Sequence, residues 1–282
     1  MPAPEIRPDH PMSAPGSPPA GARRWLWLTA PLAVLVAAAS IVGLAVPGFY
    51  RDPVAWSTQA VAQDAADLAY VLPVLVVSAL FAARGSLRGW LVWLGALSYL
   101  VYTFVIYAFA VQHNRLFLVY VAALGCALWA LIGGLAQTDW DDVKAGFSPR
   151  APVRAMGVLL LVPAVLFTLL WLSEEVPAAL AGTVPQGVVD NGVPTNPVHV
   201  IDLSMMLPAM AIVGWWAWRK RAIGYGLAPV LLVNTLFQNA AIATMMAFAL
   251  RAGLPAEPVM MAVFAGMGAT VLAALVWYLR AP

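Results

Sequence analysis

Eight long apolar runs dominate this chain and fix what it can fold into. They cover residues 25–48, 62–83, 90–111, 115–136, 153–173, 198–218, 223–249 and 258–279. Each is long enough to cross the hydrocarbon core of a bilayer as a helix, which takes about 20 mostly apolar residues. Inside a bilayer a chain must satisfy its own backbone, so runs of this length read as helices. Composition agrees: 62% of the residues are hydrophobic and 10% charged, against about 25% charged in soluble domains. The fold class expected is all-α integral membrane, with eight transmembrane helices.

The basic residues set the orientation. With the N-terminus inside, Arg7, Arg23, Arg24, Arg84, Arg88, Lys144, Arg150, Arg154, Arg219, Lys220, Arg221 and Arg280 fall on the cytoplasmic side. Only Arg51, Arg115 and Arg251 fall outside. That asymmetry predicts an N-in/C-in topology. Residues 1–22 hold seven prolines and no apolar run, and read as a disordered cytoplasmic tail. The run after Arg23 and Arg24 is too long for a signal peptide and reads as a retained first span. The expected location is a bacterial inner (plasma) membrane, crossed in multiple passes. The lipid bilayer is the partner implied. Nothing in the pattern points to nucleic acid.

Two stretches break the apolar pattern in the same way. "DAADLAYVLP" runs from Asp64 to Pro73, and "HVIDLSMMLP" from His199 to Pro208. Under a shift of 135 residues Asp67 falls on Asp202, Leu68 on Leu203, Leu72 on Leu207 and Pro73 on Pro208. Without a gap, Arg84 then meets Arg219 and Gly89 meets Gly224. This predicts two parallel four-helix repeats, 23–136 and 153–282, joined by a cytoplasmic linker at 137–152. An even number of helices per repeat relates them by an axis along the membrane normal. The matched helices would then lie across one central cavity.

The candidate site is set by that placement. A charge within a span is costly unless it has a partner, water or a proton, so intramembrane acids are functional candidates. Asp67 and Asp202 are the pair. Asp64 and His199 stand one turn before them, on the same helix face. Pro73 and Pro208 withhold a donor from the carbonyls of Ala69 and Ser204. In the third and seventh spans Tyr99 aligns with Asn234, and Thr103 with Gln238. The ligand- or proton-binding set expected is therefore Asp64, Asp67, Tyr99, His199, Asp202, Asn234 and Gln238, around a polar cavity open to the outer side. Tyr102 and Thr235 read as hydrogen-bonding glue between helices. Trp56, Trp171, Trp277 and Tyr278 read as interfacial belt residues. Glu174 and Glu175 read as the end of the fifth span.

Three functions fit this set. The first is binding and movement of a small solute or cation with proton coupling, Asp67 and Asp202 being the carriers. The second is a membrane-embedded enzyme acting from the outer side, metal-dependent if His199, Asp202 and Asp67 serve as ligands. The third is a non-catalytic sensor or assembly partner. Binding or transport is favoured over catalysis, because no Ser/His/Asp, HExxH or phosphate-binding glycine motif is present. Cys126 is the sole cysteine, which excludes an internal disulfide and any CxxC site. Both lysines lie in loops, so no retinal Schiff base can form.

Overall fold

A computed structural model describes residues 21–280. The tail expected over 1–22 lies outside the described residues except for its last two. Eight helices have the length and apolarity to span a membrane. We number them span 1 (Arg23–Ala45), span 2 (Val54–Ala83), span 3 (Leu87–Phe109), span 4 (Phe117–Ala136), span 5 (Val153–Ala181), span 6 (Pro197–Trp218), span 7 (Ala222–Arg251) and span 8 (Pro258–Arg280). Among the described residues there is no strand. Many large apolar side chains face outward along these helices, among them Val34, Ile41, Phe81, Leu118, Leu169, Ile212 and Leu272. Such a belt would aggregate in water; it matches hydrocarbon. The molecule is that of a polytopic membrane protein.

Packing follows chain order. Spans 1 to 4 close on one another as a group, as do spans 5 to 8. Spans 3 and 7 join the groups through their own contact. Gly95 makes that contact close: a Cβ there would lie 2.5 Å from Cβ of Val233 and 2.7 Å from the Val230 carbonyl. Span 2 packs on span 7, and the first turn of span 6 on span 3. Spans 2 and 6 therefore sit on opposite sides of the central pair.

Basic residues collect at one end of the bundle. There Arg88 donates to the Leu279 carbonyl and Arg154 to that of Trp218, while Lys144 lies over the Tyr225 ring. The interior of this half is closely packed. Trp90, Trp93, Leu94, Leu97 and Leu100 of span 3 are fully buried. The two indoles donate to Thr138 and Thr29, so their polar atoms are met.

The two matched sequence stretches adopt the same backbone. A single turn of π-helix occupies Asp67–Val71 in span 2 and Asp202–Met206 in span 6. In each, the amide of the following leucine (Leu72 or Leu207) donates to the carbonyl of the aspartate five residues back. The α-helix resumes at Leu72 and Leu207 and ends at Ala83 and Trp218. Proline explains the bulge, since Pro73 and Pro208 cannot make the ordinary bond to the residue four before. The turns after these helices match as well. Gly85 has φ 93° and Lys220, at the equivalent place, φ 53°. Gly89 and Gly224 both press onto the preceding helix end, where a Cβ would sit 2.7 Å from Cβ of Phe81 or 2.5 Å from the Ala217 amide nitrogen.

Two boundaries differ from the sequence reading. Span 2 begins at Val54, and Trp56 in its first turn is buried against Val188 and Val193 rather than facing outward. Span 5 continues to Ala181, six residues past Glu175, because Pro177 is accommodated within the helix. Tyr278 is also buried, its hydroxyl donating to the Tyr225 carbonyl. Only Trp277 of the four belt candidates is widely exposed.

Candidate functional site

A cavity of about 250 Å³ lies between the two groups of helices, in the half away from the arginines. Spans 2, 3, 5, 6, 7 and 8 all contribute to its wall. Four of the expected residues line it: Tyr99, Asp202, Asn234 and Gln238. Asp64, Asp67 and His199 lie behind the wall. Each has its own partners.

Asp67 is 1% exposed. Gln63, one turn earlier, donates to its Oδ1 at 2.8 Å. The same amide nitrogen reaches the Tyr99 hydroxyl at 2.8 Å, and that hydroxyl donates to Gln63 Oε1 at 3.1 Å. Gln63 and Tyr99 line the cavity, so Asp67 is one hydrogen-bonded residue removed from it.

Asp64 belongs to a sealed cluster. Tyr50 donates to its Oδ2 at 2.6 Å. Tyr107 donates to its Oδ1 at 3.2 Å and to the Ala60 carbonyl at 2.9 Å. Gly43 of span 1 makes the room, since a Cβ there would fall 1.9 Å from Asp64 Oδ2. Tyr50 stands in the connection between spans 1 and 2. Burial first, and then the neighbouring Asp64 carboxylate, push its phenol above the ordinary tyrosine range, which keeps it a donor.

Asp202 is the acid on the cavity wall. The Trp171 indole donates to its Oδ2 at 2.9 Å. Tyr102 of span 3 also interacts with Asp202, and with Gln238 of span 7. His199 is buried beside them, its ring tilted against that of Trp171 with centroids 4.2 Å apart. Its Nδ1 lies 2.6 Å from Glu175 Oε1. Asn196 begins the helix by accepting from the amides of Val198 and His199, with Pro197 as first residue. Glu174 is exposed, and Glu175 is the one of the two acids that turns inward.

The span 7 amides are incompletely paired. Asn234 Nδ2 donates to Ser98 Oγ at 3.0 Å, and Asn239 Nδ2 to the Thr235 carbonyl at 2.7 Å. The Oδ1 of each is buried without a partner. Both residues line the cavity. A buried acceptor left empty costs about 1–3 kcal/mol.

Sequence reasoning missed Gln63, Trp171 and Tyr50, and set Tyr102 and Thr235 aside although both line the cavity. Gln63 was findable, since it lies four residues before Asp67 on one helix face. Trp171 and Tyr50 carry no local signal. As to metal, no three His, Cys, Asp or Glu side chains come together among the described residues, so His199, Asp202 and Asp67 do not form one ligand set. His113 is exposed and packs on Phe117, whereas His199 is buried beside Trp171.

The fold and cavity place the chain in the class of multi-pass helical membrane proteins, with an internal cavity whose wall is mostly apolar rather than polar as expected, Asp202, Asn234 and Gln238 being polar points on it. No protein-family model, curated protein or solved structure matches it.

Proposed function

We propose that this protein binds a small solute or cation in the cavity and moves it across a bacterial plasma membrane with proton coupling. The observation that carries the reading is Asp202, a carboxylate on the wall of a cavity enclosed by membrane-length helices. One carboxylate can hold a proton or a cation, but not both at once. Exchange of the two is therefore built into a single group. Asp67, behind Gln63 and Tyr99, is a second proton-holding group connected to the same wall.

The architecture proposed is two parallel four-helix repeats with both termini in the cytoplasm. Support comes from the paired π-turns, the paired left-handed turn residues and the matching packing order of spans 1–4 and 5–8. The clustering of basic residues at one end supports N-in/C-in. The cavity then opens toward the outer side.

Proteoliposomes holding a pH-sensitive dye and an imposed pH gradient test the reading. Addition of choline, tryptamine, sodium or potassium is expected to collapse the gradient faster than in protein-free vesicles for at least one solute, and Asp202→Asn to remove that excess. No excess with any of them would remove movement from the proposal. A second reading, a sensor that binds without passage, is favoured by the close packing around Trp90, Trp93 and Gly95 on the far side of the cavity.

A further inference from the structure

The cavity wall is selective in charge, in hydrogen-bonding sense and in shape. The ligand class inferred from it rests on the proposed binding in this cavity, and not on anything crossing the membrane.

Charge comes first. Asp202 is the only carboxylate on the wall, and no Lys, Arg or His lines it among the described residues. The groups that touch the Asp202 carboxylate, Trp171 and Tyr102, are neutral donors. They orient the charge without cancelling it. The one basic group nearby is His199, and it is already bonded to Glu175. With Asp202 ionised, these three residues sum to −1 if the histidine is protonated and −2 if it is neutral. The wall is electronegative in either state, and a partly buried charge of this kind calls for a counter-charge.

Hydrogen-bonding sense points the same way. The Thr235 carbonyl can only accept, so the Asn239 amide nitrogen must face it. That fixes Oδ1 as the free atom, on a side chain only 4% exposed. Asn234 Oδ1 is likewise empty. Of the three unmet polar atoms on wall residues, two are thus acceptors, which suit a ligand that brings N–H or O–H donors, and the third, Trp56 Nε1, is a donor.

Beside aliphatic residues, the remaining wall carries aromatic and thioether side chains: Trp171, Phe167, Phe264, Met206, Met210 and Met267. Aromatic faces attract organic cations, and methionine adapts to irregular apolar bodies. A small hydrated metal ion would leave this surface unused.

We infer that the ligand is an amphipathic organic ammonium ion, its N–H group at Asp202 and its apolar body against the aromatic and methionine wall. The body must fit a cavity of about 250 Å³, which suits a single arylalkyl group.

Three compounds with one body and different heads test this on the purified full-length chain in detergent. Tritiated tryptamine is bound at equilibrium, and competed by unlabelled tryptamine, by tryptophol (hydroxyl head) and by indole-3-acetate (carboxylate head). Tryptamine is expected to compete at least about tenfold better than tryptophol, with indole-3-acetate weakest. Asp202→Asn should erase the tenfold preference, and Asp202→Glu should restore most of it. Asn239→Ala should weaken tryptamine about threefold, as loss of one hydrogen bond does. Equal competition by the three heads, better competition by indole-3-acetate, or no saturable tryptamine binding would each overturn the inference, whether or not the variants fold. The vesicle assay separates it from the proposed function. Tryptamine binding without excess gradient collapse sinks movement alone, and excess collapse by sodium or potassium alone sinks the ligand class alone.

Discussion

Asp67 and Asp202 stand at the same position of the same backbone device, yet one is sealed and the other presented. In span 2 a π-turn places Asp67 under an amide, Gln63, that is itself tied to Tyr99. In span 6 the same turn places Asp202 on the cavity wall, held by an indole from span 5 and facing a phenol from span 3. The residues one turn earlier diverge too. Asp64 is satisfied by two tyrosines within its own half, whereas His199 meets a glutamate at the rim. The bulge is a way to turn an acid inward; what the acid then does depends on the helices that reach it.

The largest effect that could break this comparison is functional. Asp202→Asn should lower the excess cation-driven gradient collapse by about tenfold or more. Asp67→Asn should leave tryptamine affinity within about twofold, because an asparagine can still accept from Gln63. Equal loss of binding in both variants would mean that the halves are equivalent at the cavity.

Stability should diverge next. Asp64→Leu leaves the Tyr50 hydroxyl without its acceptor and takes one of two acceptors from Tyr107, at a cost of about 2–4 kcal/mol. His199→Leu should cost about half that, since Glu175 is 34% exposed and regains solvent. Reversible unfolding of the two variants in mixed micelles ranks them, and the opposite order would undo the distinction between a sealed cluster and a rim pair.

Gly43→Ala probes the sealed half from the other side. Its methyl would overlap Asp64 Oδ2, and overpacking of this kind costs about 1–3 kcal/mol. A variant as stable as the parent would mean that Asp64 moves freely.

The smallest effect concerns the matched turns. Gly85 and Lys220 share a left-handed backbone, which costs a residue with a side chain about 1–2 kcal/mol. Gly85→Ala should therefore destabilise by about 1 kcal/mol, while Lys220→Gly should gain about 0.5 kcal/mol after the extra chain entropy of glycine. Melting temperatures moving in the same direction for both would show that the two turns are not under the same strain.

Much of this architecture could be read from the chain. Eight apolar runs give eight helices because a bilayer leaves the backbone no other way to pair. The shift that aligns Asp67 with Asp202 also aligns the prolines, and proline chemistry alone makes a bulge there a reasonable expectation. Span ends were less legible. Val54–Val61 carries Trp56, Ser57 and Gln59 and looks like a loop, but it is helix because Trp56 is buried against the short helix Gln186–Asn191 and its neighbours.

By itself, then, the sequence determined the membrane solvent, the helix count and the two positions where acid and proline recur, because those depend on hydropathy and on a missing N–H. Tertiary structure alone decided which acid faces the cavity. Trp171 stands 31 residues from Asp202, Tyr102 is on span 3, and Tyr50 lies beyond a loop from Asp64. No local pattern encodes such partners, for they are set by how whole helices pack, and that packing sealed one aspartate and exposed its counterpart.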